Sequence, residues 1–168
     1  MNKYTFRKYS SKYPKLFEEE KERLQKLLTG TAIIEHFGST AVPGLGGKGI
    51  IDIYVVVDKD NLNKTVERLQ KGDYELRPDA GTEDKIFFRR ILNTGNGEQR
   101  YHVHLTLIDN TEFKKDIAFR DHLKTHPEDL KTYARIKIKA ANEANNNKDK
   151  YMKIKEPVIQ EILRHIGF

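Results

Sequence analysis

A chain of 168 residues, 37% apolar and 33% charged, with 8 Tyr and 8 Phe, has the length and composition of one folded domain rather than a disordered tail. The absence of cysteine excludes disulfides and thiolate metal sites and agrees with a cytoplasmic setting. No apolar run is long enough to cross a bilayer, the N-terminal stretch lacks an apolar signal region, and a formal net charge of +6 favours anionic partners.

In chain order, Tyr13, Leu16, Phe17, Leu24, Leu27 and Leu28 recur at helical spacing between Ser10 and Leu28, with Pro14 in the first turn and Thr29-Gly30 as the stop. The charges between them, Glu18, Glu19, Glu20, Lys21 and Glu22, read as a solvated face. Ile33 to Val57 then reads as a short apolar strand, a Gly38-Ser39 turn, a Gly-rich connection and a second apolar strand with one carboxylate, Asp52, near its start. Glycines beside hydroxyls leave amide N–H groups open to an anion, and Asp52 offers an oxygen ligand to a hard cation.

Leu62, Val66 and Leu69 predict a helix over 60–70, Tyr74 to Arg77 a short strand, and Pro78 to Gly81 a turn. Ile86 to Leu92 and Tyr101 to Ile108 read as two strands of a hairpin, joined by a loose loop at Asn93 to Gly97. Three helices follow. The first carries Phe113, Ile117, Phe119 and Leu123 and stops near His126-Pro127. The second starts at Pro127 with Leu130, Tyr133, Ala134 and Ile138 inward, and the third spans Tyr151 to Ile166, kinked or divided by Pro157. The order predicts an α+β fold, a mostly antiparallel or mixed sheet (about 31–108) with helices packed on it and a helical C-terminal part (about 111–168) in one domain.

Familiar phosphate motifs fail. Lys48 is followed by Gly49 rather than the hydroxyl of a P-loop, and no helix follows Gly44, Gly46, Gly47 and Gly49 as a dinucleotide fingerprint requires. Strand parity does better. Asp52 and Tyr54 share one face of their strand, and His102, His104 and Thr106 share one face of theirs. If those faces align, Asp52 meets His102 or His104, an arrangement that suits a metal or acid/base site. The run H-L-T-L at His104 is half of a two-histidine phosphoesterase motif, but His36 is followed by Phe37-Gly38 and lacks the partner hydroxyl. Lys48, Arg89, Arg90, Arg100 and Arg120 supply candidates for an anion-binding rim. The C-terminal lysines (131, 137, 139, 148, 150, 153 and 155) come without base-stacking aromatics or a DNA-binding module, so they read as a solvated face rather than a nucleic-acid surface.

The stretch I-E-H-F-G-S-T-A-V-P-G-L-G-G-K-G-I-I-D-I resembles the hallmark of the GrpB family, H-x-G-S-T-A-V-P-G-L-x-x-K-P-I-I-D-I, with Gly49 where proline is usual. H-V-H-L, the run A-F-R-D-H-L-K-T-H-P-E at Ala118, and Tyr133, Lys137, Tyr151 and Lys155 extend the resemblance over nearly the whole chain. It implies a nucleotidyltransferase-like fold, in which Gly38, Ser39 and Thr40 take phosphates at a helix N-terminus, Lys48 adds charge, and Asp52 is the first metal carboxylate or a base. His104, Arg89 and Arg120 would complete the pocket. Tyr54 stands at the second carboxylate position and His104 at the third, so one of three expected carboxylates remains. That set implies one divalent cation, Mg²⁺, Mn²⁺ or Zn²⁺, and altered transferase chemistry or binding without transfer. The implied partner is a nucleotide or, because some members are fused to a dephospho-CoA kinase, a coenzyme A-related molecule.

Overall fold

In the computed structural model, which describes residues 6–30 and 32–168, the elements run α1 (Tyr13–Leu28), β1 (Ile33–Phe37), β2 (Ile51–Val57), α2 (Leu62–Lys71), β3 (Glu75–Leu76), β4 (Ile86–Thr94), β5 (Gly97–Leu107), α3 (Thr111–Thr125), α4 (Pro127–Glu143) and α5 (Lys148–His165). The strands form one mixed sheet in the order β1-β2-β5-β4-β3, in which β2 and β5 are parallel and the other neighbours antiparallel. The fold is α+β, as the element order predicts. Among the described residues no helix is long and apolar enough to cross a membrane.

The strand alternation divides the sheet into two faces. Ile51, Ile53, Val55 and Val57 of β2 point one way with Tyr101, Val103 and Leu105 of β5 and Phe88 of β4, into the main core. Phe17, Leu24 and Leu28 of α1 and Leu69 of α2 close over them. Leu24 and Leu69 are fully buried, and each such side chain contributes about 1.5–3 kcal/mol by leaving water. The opposite face carries Asp52, Tyr54, His102 and His104, and the C-terminal helices close over it through a second, smaller core of Val42, Leu45, Leu123, Tyr133 and Ile162.

Several expectations need correction. The hairpin is tight: β4 and β5 stay paired to Thr94 and Gly97, so only Gly95 and Asn96 form the turn. Helix α5 runs unbroken through Pro157. Ile138, expected to face inward on α4, is 42% exposed. Glu20 does not belong to a solvated face: it is buried, accepts from the Tyr74 hydroxyl at 2.5 Å and pairs with Arg90 at 2.6 Å. Arg90 thereby leaves the anion rim, since it lies on the α1 side of the sheet. Lys137 and Lys155 are not solvated either, being 6% and 9% exposed on helices whose other lysines face water.

Candidate functional site

The parallel register of β2 and β5 sets Asp52 opposite His102 and Tyr54 opposite His104, all on the face away from the main core. Asp52 Oδ1 lies 3.5 Å from His102 Nδ1 and 3.6 Å from His104 Nε2. These gaps are too long for good hydrogen bonds, and both ring nitrogens of half-buried His104 are shielded from solvent without a hydrogen-bond partner among the described residues. Three aromatic rings, Phe37, Tyr54 and Phe87, surround the His104 imidazole at 5.0–5.6 Å between centroids. Burial in this cage lowers its pKa against the opposing pull of Asp52, which favours the neutral ring. Burial alone would raise Asp52, but the contacts with His102 and His104 outweigh it and hold the carboxyl well below the usual carboxylate range.

One carboxylate oxygen and two imidazole nitrogens, all within 4.8 Å of one another, make a donor set for one cation. For donors about 2.0–2.1 Å from a tetrahedral ion the donor–donor edge is about 3.4 Å, which the two Asp52–histidine gaps match. The chemistry of the set suits a borderline ion such as Zn²⁺ or Mn²⁺ better than Mg²⁺, which prefers oxygen. The pair of carboxylate-bridged Mg²⁺ ions typical of transferases does not fit these residues. Tyr54, which the resemblance implies stands at a second carboxylate position, is buried and donates its hydroxyl to Asp116 Oδ2 of α3 at 2.6 Å. Burial raises the pKa of Asp116, against the lowering effect of that hydrogen bond.

The Gly38-Ser39 turn roofs this cluster. Phe37 pairs with Asp52 across β1 and β2, so the next residue passes directly over the carboxylate. Gly38 adopts φ +72°, and a Cβ there would stand 2.7 Å from Asp52 Oδ2. Only glycine permits both the backbone conformation and the approach. Ser39 opens a single turn of 3₁₀ helix and faces a cleft of about 300 Å³ between the turn and α3, α4 and α5. Asp116, Arg120, Lys137 and Lys155 bring polar groups to the cleft, and Phe119, Leu123, Ile159 and Leu163 are among its apolar walls. Lys137 Nζ donates to the Gly46 carbonyl at 2.8 Å. Burial, then the neighbouring charge of Lys155, push Lys137 down to about 7, while burial and Lys48 push Lys155 down to about 8.

The structure therefore brings together Gly38, Ser39, Asp52, His102 and His104, and adds Asp116, Lys137 and Lys155. Lys48 is exposed, and its charge acts on both buried lysines. Thr40 faces elsewhere. Its hydroxyl donates to the Ile50 carbonyl at 3.0 Å and so accepts from His36 Nε2 at 2.9 Å. Arg120 borders the cleft while tying α3 to β1 through Glu35 Oε2 and the His36 carbonyl, both at 2.7 Å. Arg89 lies beside His102 in the sheet register but pairs with Glu75 at 2.7 Å and does not line the cleft. The His36–Thr40 contact is a second histidine–hydroxyl pair, yet His36 stacks on Phe17 on the opposite face of the sheet, so no two-histidine phosphoesterase site forms.

A signal for each added residue is present in the sequence. Lys137 recurs four residues after Tyr133 and three before Ala140, inside the buried stripe of α4. Lys155 holds the same kind of position before Ile162 on α5. Asp116 falls between Phe113 and Phe119 at helical spacing. Polar residues on an apolar stripe point to a buried polar site.

The family model described as GrpB protein matches residues 3–165. The protein BH1888 of Halalkalibacterium halodurans is 34% identical over 163 residues, covering 95% of this chain and 80% of that protein. YqkA of Bacillus subtilis is 32% identical over 157 residues, which cover 90% of this chain but 44% of YqkA, so this chain matches less than half of that relative's length. Among solved structures, the conserved protein GrpB from Enterococcus faecalis matches with a TM-score of 0.78 at 28% identity, covering 98% of this chain and 100% of that one. A distant likeness in outline, TM-score 0.44 at 18% identity over 77% of this chain, is to Cid1 in complex with a UTP analogue.

Proposed function

The chain belongs to the GrpB family, and from that membership and the geometry of the cleft we propose that it binds a phosphate-bearing, nucleotide-like small molecule with the help of one divalent cation. The observation that carries this reading is the Asp52–His102–His104 cluster, with both His104 nitrogens unsatisfied, directly beneath a glycine turn that opens on a cleft holding buried lysines. Asp52, His102 and His104 would hold the cation. The bound cation would supply a Lewis acid beside the phosphate, worth several kcal/mol to developing charge. Ser39 offers its hydroxyl and a turn amide to phosphate oxygens, Gly38 keeps that approach open, and the apolar wall around Phe119 and Leu123 excludes water from the ligand's body.

Nucleotidyl or phosphoryl transfer is the reaction class such a site is built for. Tyr54 in place of a second carboxylate favours binding over transfer, since a buried phenol hydrogen-bonded to Asp116 cannot act as a charged oxygen ligand. The test is calorimetric titration with Zn²⁺ and Mn²⁺, followed by thermal-shift screening against nucleotides and coenzyme A precursors with and without each ion. Wild-type protein should bind one cation per chain and gain stability from a ligand by mass action, and Asp52→Ala should lose the cation response. A flat response to every cation and ligand would refute the proposal.

A further inference from the structure

We propose that Lys137 and Lys155, together with the Ser39 hydroxyl, form a subsite for a phosphoryl dianion. This rests on the reading of the cleft as a phosphate-ligand site and assigns the anion's counter-charge to the two C-terminal helices rather than to the Gly-rich connection alone. Both lysines are more than nine-tenths buried, at 6% and 9% exposure, and both line the same cleft. Among the described residues neither forms an ion pair with a carboxylate. Among the described residues the Lys137 ammonium hydrogen-bonds the Gly46 carbonyl at 2.8 Å and lies 5.9 Å from the centre of the Tyr133 ring, and the Asp52 charge acts on it without forming an ion pair. Lys155 has the Tyr151 ring, 4.5 Å from its nitrogen.

Burying an ammonium without a counter-ion costs several kcal/mol, and two like charges sharing one cleft raise the cost further. A site serving the fold alone would be more stable with apolar side chains of the same volume. The arrangement makes sense as half of an interaction whose other half is an anion. Its geometry converges: a Cβ on Gly47 would stand 2.3 Å from Ser39 Oγ and 3.1 Å from Lys137 Nζ, so hydroxyl and ammonium approach one point beside the turn. Two point-like cations and a hydroxyl match the double charge and tetrahedral oxygens of a phosphoryl group. A planar carboxylate is better served by an arginine fork, which the cleft's single guanidinium, Arg120, already spends on Glu35 and the His36 carbonyl.

The experiment is a thermal-shift titration with inorganic phosphate and with pyrophosphate at constant ionic strength, with acetate as the monoanion control. It compares wild type, Lys137→Met and Lys155→Met. Wild type should gain a few degrees with phosphate and pyrophosphate and none with acetate. Each methionine variant should melt higher than wild type without ligand and lose the phosphate response. A methionine variant that melts lower and keeps the phosphate response overturns the subsite, as does a wild type that responds equally to acetate. Should Lys137→Met fail to fold, Lys155→Met decides by the same two readouts, because its ammonium makes no backbone hydrogen bond among the described residues. The cation titration separates this proposal from its premise: variants that still bind Zn²⁺ or Mn²⁺ but also still bind phosphate sink the lysine subsite alone. A wild type that binds neither cation nor phosphate sinks both.

Discussion

The two faces of the sheet bury charge in opposite ways. Under α1, Glu20 is enclosed but fully answered, by the Tyr74 hydroxyl and by Arg90, which itself lies over the Tyr101 ring. Under the C-terminal helices, Lys137 and Lys155 have no carboxylate partner among the described residues, and His104 has two unsatisfied nitrogens. The first arrangement is closed and serves the fold. The second is open, and an open set of buried polar groups is costly unless something outside the chain completes it.

The largest effect belongs to the closed side. Arg90→Met leaves Glu20 charged and buried with only Tyr74 beside it, and should cost about 3–5 kcal/mol in urea denaturation while cation binding at Asp52 is retained. Loss of cation binding in that variant would show that the two faces are not separable. Gly38→Ala comes next. It forces a Cβ at φ +72° against Asp52 Oδ2, and should cost about 1–3 kcal/mol in stability and weaken the cation about 10–100-fold by calorimetry.

Stability should also follow pH. Lys137 and Lys155 sit at about 7 and about 8 in the folded chain against 10.5 for free lysine. Between those folded values and 10.5 the unfolded chain binds more protons than the folded one, so stability without ligand rises with pH through that window. It rises by up to about 1.4 kcal/mol per pH unit for each lysine, and is lowest below pH 7 where both are charged in either state. Denaturation midpoints from pH 6 to 10 should show this rise in wild type and a smaller one in Lys137→Met. An unchanged slope would mean the lysine is not held in a charge-hostile site. The smallest effect belongs to Arg89→Ala. Its ion pair with half-exposed Glu75 is worth about 0–1 kcal/mol, and cation and phosphate titrations should be unaffected because Arg89 does not line the cleft.

Much of the site is legible in the chain because it depends on local rules. Alternation along a strand puts Asp52 with Tyr54 and His102 with His104, whatever the rest of the fold does. A turn that must pass close to a neighbour calls for glycine, and Gly38 supplies it. Thr40 shows where such rules stop. Its place beside Ser39 suggests a phosphate hydroxyl, but one residue further round the turn its Oγ1 faces His36 and the Ile50 carbonyl. Glu20 and Lys137 show the same limit on helices: surrounded by charges of the same kind in sequence, each is buried by what packs against it.

By itself the sequence determined the α+β order, the family, the glycine turn and which strand face carries the carboxylate and which the imidazoles, since these follow from periodicity, backbone freedom and a long motif. Only the tertiary structure decided which charges are buried and which face each other. The partners of Asp116 and Lys137 lie many residues away, on Tyr54 and Gly46, and Lys155 meets Ser39 only across a shared cleft; contacts of that kind are set by how α3, α4 and α5 close over the sheet.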